Sequence, residues 1–177
     1  HDQVVFATPD HPDWGFFPEV TDAGRTLVVS ISRGTDPENR VHVADLSEGI
    51  EAAVVRPLLD AADGRYESLG AIEGVLYLST DLDAPLGRIV AIDLADPVIA
   101  ISEVVPEGPD ALEAARIVGG RLALVYLHDA HHRLAIVERD GSARREVTLP
   151  GIGTLADLAG EREDDELFAT FMTFASP

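Results

Sequence analysis

A chain of 177 residues is long enough to bury a core, and its formal charge of −19, from 32 acidic against 13 basic residues, argues against nucleic-acid binding, which needs clustered cations. All 13 basic residues are Arg, and the acidic surplus reads as a soluble, self-repelling surface. The lack of Cys excludes disulfides, thiol nucleophiles and Cys-ligated zinc, and no run of about 18 apolar residues offers a membrane helix.

In chain order, His1-Asp2-Gln3 has no signal-peptide pattern, and Val4-Val5-Phe6 reads as a short strand stopped by the prolines at 9 and 12. Trp14 to Val20 is dense in aromatics and suggests a segment packed between sheets, and Thr21 to Arg25 reads as a turn. The run Leu27-Val28-Val29-Ser30-Ile31-Ser32, the polar turn from Gly34 to Asn39 and the alternating run from Arg40 to Leu46 form a hairpin. Val54 to Leu59 contains Pro57 and fits an edge strand.

The pattern then repeats. Tyr66 to Ile72 opens the second copy, its hairpin is Gly74–Thr80 with Arg88–Leu94, and Ile101 to Val105 is its outer strand before Pro106. In the third copy Ala115 to Val118 is followed by a Gly119-Gly120 turn, a hairpin of Gly120–Leu127 with Arg133–Glu138, an Asp140-Gly141 turn and the stretch Arg145 to Pro150. Pro109 to Ala115 is the one place where a helical turn is expected. Thr154 to Ala159 and Asp165 to Phe171 begin a fourth copy.

Leu27, Leu76, Leu122 and Leu167 hold equivalent places at steps of 49, 46 and 45 residues. A β-rich period of about 40 to 50 residues is the size of one four-stranded propeller blade. The expected fold is therefore all-β: a partial β-propeller of about three and a half antiparallel blades, divided as 1–59, 60–107, 108–150 and an incomplete 151–177. Closed propellers use about four to eight blades, so the chain is expected to be a piece of a longer protein.

Catalytic motifs are sparse. No serine has the Gly-x-Ser-x-Gly flanks of a nucleophile elbow, and Ser142 sits in an ordinary hairpin turn. His128, Asp129, His131 and His132 are metal-ligating types, but they fall where a polar hairpin loop is expected and no distant ligand joins them. The acidic runs Asp81-Leu82-Asp83 and Asp164-Asp165-Glu166 lack a calcium-loop pattern. No metal, cofactor or phosphate loop is assigned. Arg33, at a strand end before a Gly turn, could hold a carbonyl or carboxylate, or could be a salt-bridged loop residue.

Several stretches closely resemble the prolyl oligopeptidase family: Trp14-Gly15-Phe16, Ser30 to Arg40, Thr80-Asp81-Leu82-Asp83-Ala84-Pro85-x-Gly87-Arg88 and Ala91-Ile92-Asp93-Leu94. Val105-Pro106-Glu107, Tyr126-Leu127-x-Asp129-Ala130, Leu149-Pro150-Gly151-x-Gly153 and Phe171-x-Thr173-Phe174-x-Ser176-Pro177 continue the match in family order. The resemblance implies the later blades of a seven-bladed propeller that caps an α/β-hydrolase domain carrying Ser, Asp and His. It further implies a parent serine peptidase that cleaves short peptides after proline, with the propeller limiting access to an enclosed cavity. The chain alone is then inactive, its partners being short proline-containing peptides, the hydrolase domain and the remaining blades, with neither nucleic acid nor membrane. A cytoplasmic location is expected, with the periplasm as the alternative.

Some family members contact substrate through an arginine of the first hairpin, which aligns with Ser32, one place before Arg33; Thr35 falls near the cavity. Ser32, Arg33 and Thr35 are the substrate-contact candidates, and strand parity sets Ser32 and Arg33 on opposite faces. The alternative from another class is a free-standing binding module whose uncovered end blades close by oligomerising.

Overall fold

The computed structural model describes residues 4–160 and 162–173. The expectations for His1, Asp2 and Gln3 and for Phe174, Ser176 and Pro177 lie outside the described residues.

Fourteen strands and no helix are found among the described residues. The first sheet comprises β1 (Trp14–Thr21), β2 (Thr26–Arg33), β3 (Asn39–Asp45) and β4 (Arg56–Leu59). The second holds β5 (Tyr66–Ile72), β6 (Val75–Thr80), β7 (Arg88–Asp93) and β8 (Ser102–Val105). The third holds β9 (Ala111–Val118), β10 (Arg121–His128), β11 (His131–Glu138) and β12 (Arg145–Val147), and β13 (Thr154–Ala159) pairs with β14 (Phe168–Met172). Each sheet is a meander in which sequence neighbours are hydrogen-bonded neighbours, so the fold is a partial β-propeller with three four-stranded sheets and one two-stranded sheet.

Backbone packing divides the chain into two compact units, one of residues 1–83 and 90–102, the other of 84–89 and 103–177. In the first unit, Val28, Val41, Val43 and Leu58 of the first sheet pack against Tyr66, Ala71, Leu76, Leu78, Val90 and Ile92 of the second. The opposite face of β2 and β3, formed by Leu27, Val29, Ile31 and Ala44, is covered by Phe6, Trp14, Leu46, Ala53 and Val55. A central strand buried on both faces needs apolar residues at every position, which is why β2 reads as a continuous run rather than an alternation. In the second unit, Ala123, Val125 and Leu134 meet Leu155 and Leu158 of β13.

Four sequence expectations are corrected. Val4 to Phe6 forms no strand; Phe6 instead packs edge-on against Phe16, with ring centroids 5.6 Å apart, and helps cover the first sheet. Trp14 to Val20 is itself a strand, paired with β2 along eight residues, and Pro18 is tolerated because β1 lies at a sheet edge. Pro109 to Ala115 forms no helical turn, since β9 starts at Ala111 and takes its hydrogen bonds from β10. The loop at His128–His132 shrinks to Asp129-Ala130, whose φ values of 43° and 61° close the hairpin in two residues.

The prolines expected at sheet edges behave as their chemistry requires. Pro57 lies in β4, the outer strand of its sheet, and Pro106 follows β8, the outer strand of the next.

Candidate functional site

Parity along β2 builds a groove. Val28, Ser30 and Ser32 point to one face, and together with Phe17, Pro18 and Glu19 of β1, Pro37 and Asn39, and Arg65 to Ser68 they line a cleft of about 480 Å³ within the first unit. Phe17 is 62% exposed, and its ring lies over Gly15, directly opposite Ser32 in the β1–β2 register. The lining is therefore aromatic at Phe17 and Tyr66 and hydroxylic at Ser30, Ser32 and Ser68.

Asn39 fixes the two sheets that form the groove. Its backbone N–H donates to the Gly64 carbonyl at 3.1 Å, its Nδ2 donates to the Tyr66 carbonyl at 3.0 Å, and the Tyr66 N–H donates to its Oδ1 at 2.7 Å. Nδ2 also reaches Ser30 Oγ at 2.7 Å, orienting that hydroxyl. At the other end of the strands, Thr21 Oγ1 accepts from the Ala71 N–H at 2.9 Å, and Asp22 Oδ1 accepts from the Glu73 N–H at 2.9 Å. Burial pushes the Asp22 carboxyl up, but the Arg25 guanidinium and the backbone donors outweigh it and hold the group below its ordinary value.

Among the described residues, Arg65 is the one cation lining the groove, which Glu19 and Glu67 also line. Its N–H donates to Asp81 Oδ1 at 2.7 Å, while its guanidinium Nε stays 3.9 Å from Asp81 Oδ2 and its side chain is 63% exposed. That leaves planar donors available at the mouth of the cleft.

Of the three sequence candidates, Ser32 alone lines the groove. Arg33 points to the opposite face, where its Nε donates to Asp13 Oδ2 at 2.7 Å; this hydrogen bond holds the Asp13 carboxyl below its ordinary value. Thr35 is exposed in the β2–β3 turn and does not line the cleft. Phe17, Asn39 and Arg65 were missed by sequence reasoning. They come from three separate strands or strand ends, and only the register brings them to Ser32.

The histidines of the third sheet go to separate partners. His128 Nδ1 is 2.8 Å from Asp110 Oδ1, His132 Nε2 is 2.7 Å from Glu113 Oε2, and the His131 ring meets His128 edge-on at 5.4 Å. Ser142 lies in the turn after β11, its N–H donating to Asp140 Oδ1 at 2.9 Å.

The family model for the prolyl oligopeptidase N-terminal β-propeller domain matches residues 1–177. The chain belongs to this family. It is 29% identical over 180 residues to prolyl oligopeptidase A of Amanita bisporigera, covering 99% of this chain and 24% of that protein. It is 28% identical over 159 residues to a prolyl endopeptidase of Elizabethkingia meningoseptica, covering 89% of this chain and 22% of the relative. A solved structure from a study of two prolyl endopeptidases superposes with a TM-score of 0.93 at 35% identity, over 99% of this chain and 26% of the other. Prolyl oligopeptidase B of Galerina marginata shares the fold, with a TM-score of 0.89 at 19% identity over 97% of this chain and 25% of its own. The chain thus spans about a quarter of the length of the relatives it matches. No helix among the described residues is long and apolar enough to cross a membrane.

Proposed function

We propose that this chain is the peptide-admitting propeller portion of a serine peptidase that cleaves short peptides after proline, the chemistry being carried by an α/β-hydrolase domain outside these residues. The successive blades are residues 1–59, 60–107, 108–150 and the incomplete 151–177. The observation that carries the reading is the family match over the whole length, and the Ser32 groove supplies a surface suited to the substrate. A proline ring packs on the exposed Phe17 face, while peptide carbonyls accept from Ser30, Ser32 or the Arg65 guanidinium. Arg33 and Thr35 are secondary substrate contacts outside the groove, Arg33 only after its guanidinium lets go of Asp13.

Two measurements on the chain test this. With a chromogenic peptide ending in proline, no turnover is expected, and turnover at any rate above a buffer blank removes the assignment of chemistry to another domain. In an NMR titration with a short proline-containing peptide, shifts are expected at Phe17, Ser30, Ser32 and Tyr66 to Ser68. Shifts confined to Arg33–Thr35, or none at millimolar peptide, refute the groove as the contact surface.

A further inference from the structure

The joint between the first and second sheets has a counterpart in the second unit, built with a different side chain. Asn39 gives its N–H to the carbonyl of residue 64 and accepts, through Oδ1, the N–H of residue 66. His132 gives its N–H to the Gly153 carbonyl at 2.9 Å and accepts, through ring Nδ1, the Leu155 N–H at 2.9 Å. Both clasps come from the start of the third strand of a meander, and both grip two backbone groups at the same i, i+2 spacing where the next sheet begins. Only the chemistry of the acceptor differs.

A carboxamide oxygen accepts at every physiological pH. An imidazole nitrogen accepts only while unprotonated, and imidazole is the side chain whose charge changes between about pH 5 and 8. The geometry at His132 fixes its tautomer: Nδ1 receives an N–H, so Nε2 carries the proton and donates it to Glu113 Oε2. We propose that His132 makes the joint between the third sheet and β13 a pH-sensitive clasp, closed by neutral imidazole and opened by imidazolium, whereas the Asn39 joint stays closed. When Nδ1 is protonated it becomes a donor aimed at the Leu155 N–H, and that hydrogen bond is lost. The bond to Glu113 survives and gains charge, so protonation trades a link between sheets for a stronger one inside the third sheet.

The surroundings leave this trade to His132 itself. From β9, Glu113 faces the ring, while Asp110, just before that strand, is engaged by His128 and lies 3.6 Å from Arg133. From β12, Glu146 shares the cavity of about 380 Å³ lined by His131, His132 and Arg133, and is paired with Arg144 at 2.8 Å. Leu127 is the residue opposite on β10, and β13 offers only the Leu155 amide at the bond, its nearest charged side chain along the strand being Asp157. The His132 side chain is 10% exposed, so no solvent-facing rotamer is implied by the closed form. This proposal stands on the second unit alone and does not rest on the peptide reading.

Amide exchange of the chain tests it, with Leu155 as reporter and Tyr66 as the internal reference. Between about pH 8 and pH 5.5 the Leu155 protection factor is expected to fall about tenfold, as for loss of one hydrogen bond, with that of Tyr66 unchanged. In His132→Asn, which copies the Asn39 clasp, Leu155 protection is expected to hold across the same range. Protection of Leu155 that does not change with pH, or that falls equally in His132→Asn, overturns the proposal. Ring ¹⁵N shifts of His132 in the unsubstituted chain give a second reading: Nδ1 is expected unprotonated at pH 8, with its titration midpoint matching that of the Leu155 amide. A protonated Nδ1 at pH 8, or two different midpoints, overturns the proposal even where the variant fails to fold.

Discussion

Asn39→Ala removes the side-chain bonds of the clasp between the first two sheets and leaves the backbone bond to the Gly64 carbonyl in place. Asn39 is 6% exposed and Tyr66 is 4% exposed, so the Tyr66 N–H and C=O lose their Asn39 partners at 2.7 and 3.0 Å where water has little access. Losing a hydrogen bond to a buried polar group costs about 1–3 kcal/mol, so the two bonds together set an expected loss of about 2–6 kcal/mol. That is a large share of the roughly 5–15 kcal/mol that holds a domain together. The assay is urea unfolding followed by fluorescence, because the chain has one Trp and Trp14 lies in the first sheet, stacked on His11 at 3.9 Å with the Arg40 guanidinium 4.5 Å from its ring. At a urea slope of about 2 kcal/mol/M, the midpoint should fall by about 1–3 M with the slope unchanged. Ser30→Ala is the control: it removes only the 2.7 Å bond from Asn39 Nδ2 to Ser30 Oγ and should cost about 1 kcal/mol. An Asn39→Ala variant no less stable than Ser30→Ala would refute the view that this side chain ties the sheets together.

The remaining predictions use the same thermodynamic measurement. Because the Asp22 carboxyl is held below its ordinary value in the folded chain, its contribution is complete above about pH 4 and disappears as pH falls through the depressed value. Asp22→Asn should therefore lower stability at pH 7 and flatten the acid limb below pH 4; acid limbs of equal steepness in the two proteins would contradict this. Gly141→Ala should be severe, since φ is 82° and the new Cβ would fall on the Val104 carbonyl oxygen, whereas Gly24→Ala, at φ 89° in open space, should cost only about 1–2 kcal/mol. Equal losses at the two glycines would mean that the approach of the β11–β12 turn to β8 is not close in solution.

The repeat could be read from the sequence because each central hairpin is buried on both faces, and largely apolar runs such as Leu27 to Ile31 announce that environment directly. Pro57 and Pro106 marked sheet edges for a reason that any structure must respect, the missing N–H. Val4 to Phe6 misled because a short apolar run has the same composition whether it pairs with a strand or merely covers one. The tight turn at Asp129-Ala130 was hidden because alanine at φ 61° carries no turn signal. Ser32 and Arg33 could be set on opposite faces by parity alone, but Arg65 could not be brought to Ser32 without knowing how the second sheet sits against the first.

The apolar faces that stack these sheets are chemically interchangeable: Val28 and Val41 against Leu76 and Leu78 in one unit, Val125 and Leu134 against Leu155 in the other. Such faces supply free energy in proportion to area and have no means of responding to conditions over a narrow range. The polar clasps at strand starts are different in kind, because each sets one register through two backbone groups and each depends on the acceptor chemistry of a single side chain, which is fixed for the Asn39 amide and titratable for the His132 imidazole. A repeat protein built this way can keep one architecture throughout while giving each joint its own response, and the exchange of an amide for an imidazole between Asn39 and His132 changes the response without altering the hydrogen-bond geometry it serves.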